Sequence, residues 1–285
     1  MDRLVEPIRD VSRYHIRPEA AHTILAQASL GVLLRLDDRV DRNSIKSFPL
    51  ARYAAQYWPT HARVDNVSSR IKDGMERLFD EDKPHFATWL WIYDEYWRDR
   101  SLFTVGPKRP KAVPLYYAAR LGFRDLAEHL IAKHPEHVNA RGEDDTTPIY
   151  AAASGGQAES ADIVSLLIQH GADVNGRGHI GETPLFQASK DARPEAGQLL
   201  LNQGADIDAR NNYNNTTLIY AIWRNNLEFA RMLLERGADV NARCQNDMTP
   251  LHWAAETGRT EFVRLFLEYG ADINARDFWG RIPRL

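Results

Sequence analysis

Apolar positions in the second half of the chain follow helical spacing with a longer beat laid over it. Leucine pairs at Leu166 and Leu167, Leu199 and Leu200, Leu233 and Leu234, and Leu265 and Leu267 are each followed by Gly-Ala-Asp, beginning at Gly171, Gly204, Gly237 and Gly270, every step 33 residues. A second marker keeps the same beat: Thr183-Pro184-Leu185, Thr216-Thr217-Leu218 and Thr249-Pro250-Leu251-His252. Upstream, Thr147-Pro148-Ile149 lies 36 residues before Thr183 and Val113-Pro114-Leu115 lies 34 before Thr147. Such a period marks a repeat architecture. Each unit predicts two short helices. Thr caps the first through its hydroxyl and Pro fits its first turn, where a missing N–H costs nothing. Ala151, Ala152, Ala188, Ala221, Ala254 and Ala255 allow close helix approach, while the leucines supply the packed layer. Apolar faces left open on each unit make stacking obligatory.

The best unit reads Thr249-Pro250-Leu251-His252-Trp253-Ala254-Ala255, a turn at Gly258, Phe262 to Leu267, then Gly270-Ala271-Asp272-Ile273-Asn274-Ala275. This pattern resembles the ankyrin repeat family. The resemblance implies an all-α solenoid of helix-turn-helix units joined by short β-hairpin loops, preceded by an irregular helical domain. The units fall at 113–146, 147–182, 183–215, 216–248 and 249–281, and a sixth opens at Ile282, as in a longer array. The glycine between the two helices appears as Gly122, Gly156, Ala192, Asn225 and Gly258. Ala192 is the costliest replacement there, so the third unit is predicted to be the least regular.

Residues 1–105 lack the period but carry helical patterns over 18–36, 50–58, 67–79 and 86–96. In the first, Ala21, Ile24, Leu25, Ala28, Val32 and Leu33 form the expected apolar face. Pro49, Pro59 and Pro84 fall where helix boundaries are predicted. The basic run Pro107-Lys108-Arg109-Pro110-Lys111 reads as a linker into the domain that begins at 106. The words around Tyr14-His15-Ile16, His22, Tyr53 to Trp58 and His61-Ala62 resemble the helical segment of fungal NACHT signalling proteins, which lies between their NTPase and their ankyrin repeats. That resemblance implies the sensor portion of such a protein. No G-x-x-x-x-G-K-[ST] phosphate loop occurs in the sequence, so no nucleotide chemistry carries over.

Composition narrows the function. Thirty-six Lys and Arg against 39 Asp and Glu give a net charge of -3, which offers phosphate backbones no global attraction. The apolar stretch near Leu30 to Leu34 is too short to span a membrane, and the single cysteine, Cys244, excludes an internal disulfide and a cysteine-rich zinc site. His129, His134 and His137 cluster across Pro135 with spacing wrong for one helical face, so no metal or other cofactor is predicted. No acid–base or nucleophilic constellation emerges. The expected function is therefore non-catalytic binding of a protein partner, in the cytoplasm or the nucleus, without nucleic acid, membrane or small-molecule substrate. A truncated product without an independent role and an enzyme-associated adaptor subunit are the alternatives.

In the ankyrin family, partners meet hairpin tips and exposed inner-helix ends. The matching positions are Glu143, Asp144, His179, Ile180, Lys190, Asp191, Asn212, Tyr213, Trp223, Arg224, Gln245, Asn246, Phe278 and Trp279. Tyr213, Trp223 and Arg224 carry the residue types most enriched in interface hot spots. Trp223 either meets a partner or folds over the adjacent hairpin, and Phe278 and Trp279 either meet a partner or pack against a further unit.

Overall fold

A computed structural model describes residues 18–36, 39–41, 45, 48–64, 66–97, 107, 110–154, 160–178, 180–191 and 193–284. The chain divides into two compact units, Met1–Arg109 and Pro110–Leu285.

The first unit holds α1 (Pro18–Leu33), α2 (Pro49–Ala62), α3 (Val67–Arg70), α4 (Lys72–Leu78) and α5 (Pro84–Trp97). Helix α1 buries Thr23, Ala26, Ser29, Leu30 and Leu33, a stripe at helical spacing, and leaves Ile24 and Leu25 exposed. The expected apolar face is therefore rotated. The pattern over 67–79 is broken at Ile71, whose φ of -114° separates α3 from α4. Pro59 also departs from expectation, for it lies inside α2 rather than at its end. A proline in a helix interior leaves the carbonyl four residues earlier without its donor. Here that carbonyl is Ala55's, and the indole N–H of Trp89 on α5 donates to it at 3.1 Å. Trp89 itself is buried in an aromatic core, edge-on to Trp58 with ring centroids 5.6 Å apart and 5.3 Å from Phe79.

The second unit is a stack of helix pairs. The first helices are α6 (Pro114–Leu121), α8 (Pro148–Ser154), α10 (Pro184–Lys190), α12 (Thr217–Trp223) and α14 (Pro250–Glu256). Their second helices are α7 (Arg124–Lys133), α9 (Ser160–Gln169), α11 (Pro194–Asn202), α13 (Leu227–Glu235) and α15 (Thr260–Glu268). First helices pack on first helices of neighbouring units and second on second. Close approach is real at Gly197, where a Cβ would lie 2.6 Å from the Phe229 ring across α11 and α13.

Turns between the helices use left-handed backbone, and Asn225 adopts it with φ 56° where other units use Gly122 and Gly258. Asn tolerates that region better than other non-glycine residues. Ala192 lies outside the described residues. The hairpins are tight turns closed by bonds such as Asn211 N–H to the Asn215 carbonyl at 3.0 Å and Cys244 N–H to the Met248 carbonyl at 2.8 Å. No strand forms among the described residues.

Two ladders tie units together. Arg141 donates to the carbonyl of Arg177 at 2.9 Å, Arg177 to that of Arg210 at 2.6 Å, Arg210 to that of Arg243, and Arg243 to that of Arg276 at 2.8 Å. Asparagines form the second. Asn139, Asn175 and Asn241 donate to the carbonyls of Gly171, Gly204 and Gly270 at 2.8, 3.2 and 3.3 Å. Each also accepts the N–H of an aspartate in the next unit at 2.8 Å.

The helix-capping role predicted for Thr holds at Thr249, which forms a capping box with His252, and is corrected in three other units. The hydroxyls of Thr147, Thr183 and Thr216 are buried with no hydrogen-bond partner. Only Thr249 finds one, the Nδ1 of His252 at 2.9 Å, which also accepts the Thr249 N–H at 3.2 Å. With Nδ1 accepting, the Nε2–H of His252 donates to the Arg281 carbonyl at 3.1 Å. Tyr150, Phe186 and Ile219 occupy the His252 position in the other units and carry no ring nitrogen to accept those hydroxyls.

Candidate protein-binding site

The surface formed by hairpin tips and first helices is built outward from a buried carboxylate. Glu182, only 2% exposed, precedes α10 in the hairpin that leads into the third unit. It accepts from Gln187 Nε2 at 2.7 Å, from the Tyr150 hydroxyl of the preceding unit at 3.2 Å and from the Tyr220 hydroxyl of the following one. No cation among the described residues pairs with it. Neutral donors satisfy this charge, as a buried carboxylate requires. Burial, and then the Glu182 carboxylate, raises both tyrosine hydroxyls well above their ordinary range. These phenols stay protonated and donating.

Tyr220 carries the order outward. Its ring stands edge-on to Phe186 with centroids 5.0 Å apart, and Asn211 Nδ2 donates to its hydroxyl at 3.2 Å. The same Asn211 accepts the N–H groups of Tyr213 and Asn215 at 3.0 Å, which fixes the hairpin tip bearing Tyr213. Trp223 lies 5.1 Å from Tyr220 and meets Trp253 of the fifth unit edge-on at 5.4 Å. The Trp253 indole N–H donates to Cys244 Sγ at 3.0 Å, and burial holds that thiol above its ordinary range. Each ring is thus braced by a neighbour. Tyr213 is still 54% exposed and Trp223 38% exposed. Trp223 therefore both covers its own stack and presents a free face.

The remaining predicted positions are distributed along the array. Glu143 and Asp144 lie in a tight turn, with Asp144 exposed at φ 54°. His179 lies outside the described residues. Ile180 is half-buried, and its carbonyl accepts the N–H of Asn212 at 2.9 Å. Lys190 and Asp191 are half-buried at the end of α10, and Arg224 is exposed one unit on. Gln245 and Asn246 are exposed at the tip of the fourth unit, and the Asn246 carbonyl accepts the Phe278 N–H at 2.9 Å. Phe278 and Trp279, 72% and 57% exposed, stand edge-on to one another, and the Arg281 guanidinium sits 4.6 Å over the Trp279 ring. Asn211 and Tyr220 link Tyr213 to Trp223, and Lys190 and Arg224 both act on Asp191, whereas Asp144 and the pair at Phe278 sit at other units. Sequence reasoning missed Glu182, Tyr220 and Trp253. Trp253 was readable as an aromatic within the motif itself, but nothing in the spacing paired Glu182 with tyrosines from two different units.

A family model described as ankyrin repeats matches the chain in three copies, over residues 115–211, 179–244 and 194–277. The chain belongs to the ankyrin repeat family. Ankyrin repeats generally serve as non-catalytic modules for protein–protein interaction. The chain is also 33% identical over 166 residues, 51% of its length, to the azaphilone pigments biosynthesis cluster protein L of Monascus ruber. It spans about a third of that relative. No described helix is long and apolar enough to cross a membrane.

Proposed function

We propose that the ankyrin array holds a protein partner on the face bearing Tyr213, Trp223 and Arg224, as the recognition portion of a NACHT-type signalling protein. The observation that carries the binding reading is the exposure of Trp223 and Tyr213 on rings locked from beneath by Tyr220, Asn211 and Trp253. Pre-ordered aromatics contribute binding energy without a large ordering cost. The test is Tyr213→Ala with Trp223→Ala, read by capture of the natural partner and by thermal melting. Capture should fall while the melting temperature stays within a few degrees, because exposed aromatics support binding more than folding. Unchanged capture refutes the reading.

The signalling context has its own support. His22, Tyr53 and His61, which belong to the words shared with the NACHT helical segment, meet in the first unit: His22 Nδ1 lies 2.9 Å from His61 Nδ1, and Tyr53 Oη lies 2.8 Å from His61 Nε2. Sequencing the full transcript tests this assignment. A phosphate loop in the same frame supports it, and a complete frame without one sinks it.

A further inference from the structure

We infer that the partner segment seated beside Trp223 is acidic, a proposal that rests on the binding reading above and gives it a chemistry. Three cations at neighbouring helix ends act on one carboxylate here without pairing to it. Lys190 ends α10, Arg193 precedes α11, and Arg224 follows α12 in the next unit, and all three act on Asp191. With Asp191 ionised, the cluster keeps two positive charges in excess. Burial nevertheless holds the Asp191 carboxyl above its ordinary range, against the pull of these cations.

None of the three enters an ion pair among the described residues, and the buried Nε of Arg193 has no hydrogen-bond acceptor among them. Most arginines on the neighbouring hairpins, by contrast, are spent on the carbonyl ladder. Unused donors of one sign beside an exposed aromatic ask for carboxylates flanking an apolar side chain. Glu256 occupies the position after Lys190 and Trp223 in the row of first-helix ends and is exposed, so it confines the acidic part of the segment to the third-unit side.

Cations beside aromatics also suit single-stranded nucleic acid, in which phosphates and stacked bases alternate. Glu256, Asp191, the exposed acids Asp144 and Asp145 and the net charge of -3 work against a long polyanion tracking this face. A short acidic peptide needs only the local cluster.

The experiment uses the full chain and three fluorescein-labelled probes: a peptide with Glu pairs flanking a central Phe-Leu, its Lys-for-Glu counterpart, and oligo-dT. Anisotropy at low salt should show saturable binding of the acidic peptide alone, weakened by salt. Lys190→Glu with Arg224→Glu should weaken it about tenfold or more, since like charges then face one another. Trp223→Leu should weaken it too. Arg236→Glu, a single charge reversal of the same kind beyond α13, should leave it unaltered. No preference for the acidic over the basic peptide, equal or tighter oligo-dT binding, or indifference to the charge reversal overturns the proposal. If the acidic peptide fails while Tyr213→Ala with Trp223→Ala still abolishes partner capture, the charge assignment falls and the aromatic interface stands. If the aromatic pair leaves capture intact but the acidic probe binds and responds to charge reversal, the interface reading falls instead.

Discussion

The asparagine ladder has one defective rung, and repairing it should stabilise the array. Asp208 stands where Asn139, Asn175 and Asn241 stand in other units, and its carboxylate accepts the Asp239 N–H at 3.1 Å. An ionised Asp208 has no hydrogen for the Gly237 carbonyl, the group matching Gly171, Gly204 and Gly270, which asparagine serves in the other units. Burial first, and the nearby Asp239 and Asp206 charges, raise the Asp208 carboxyl above its ordinary range. Asp208→Asn keeps the acceptor, supplies the missing donor and removes the disfavoured charge.

One net hydrogen bond contributes about 1 kcal/mol, which corresponds to roughly 2–4 °C in melting temperature for a domain of this size. The pH dependence follows from the direction of the shift. A carboxyl whose folded-state value is raised contributes its stability below the ordinary value, near pH 4, and loses it as pH rises through the raised one. The advantage of Asp208→Asn should therefore be full at neutral pH and shrink below about pH 4, where a protonated Asp208 can itself donate. Urea titrations followed by circular dichroism at both pH values measure it. A variant no more stable than the parent at neutral pH refutes the reasoning, and so does an advantage that grows on acidification.

Two further substitutions probe polar groups inside the fold. Thr249→Val should cost about 1 kcal/mol by breaking the contact with His252, whereas Thr216→Val, which removes a buried hydroxyl without a partner, should be neutral or stabilising. Equal denaturant midpoints for the two variants would contradict the distinction. Trp89→Phe should destabilise by about 1–3 kcal/mol, because the Ala55 carbonyl, whose helical donor Pro59 removes, then loses the indole N–H that serves it. A denaturant midpoint equal to the parent's would show that this carbonyl needs no such partner.

How much was legible depended on whether the signal was local. The repeat was, because turn chemistry and the 33-residue period are carried by neighbours in sequence. The rotated face of α1 was not: Ile24 and Leu25 are as apolar as Leu30, and only packing decides which of them is covered. Pro59 reads as a boundary in any window of sequence, and its tolerance within α2 depends on an indole 30 residues away. At the proposed face, residue type and motif position singled out Tyr213, Trp223 and Arg224. Glu182 was not, because its importance lies in contacts to Tyr150 and Tyr220, which hold different motif positions in two different units. The threonine hydroxyls failed for the opposite reason. The motif is present in four units, but the histidine that makes the hydroxyl useful survives in one.

The arginine ladder gives the array a grammar of growth. Each link joins a side chain in one unit to a backbone carbonyl in the next, so what a unit offers forward is the same as what it asks from behind. A whole unit copied or lost during gene duplication leaves matching ends to be rejoined, whereas a loss of half a unit leaves mismatched ones. Length can then drift between descendants in whole steps while every surviving junction keeps its chemistry, and a new copy is free to vary its outward-facing residues at once.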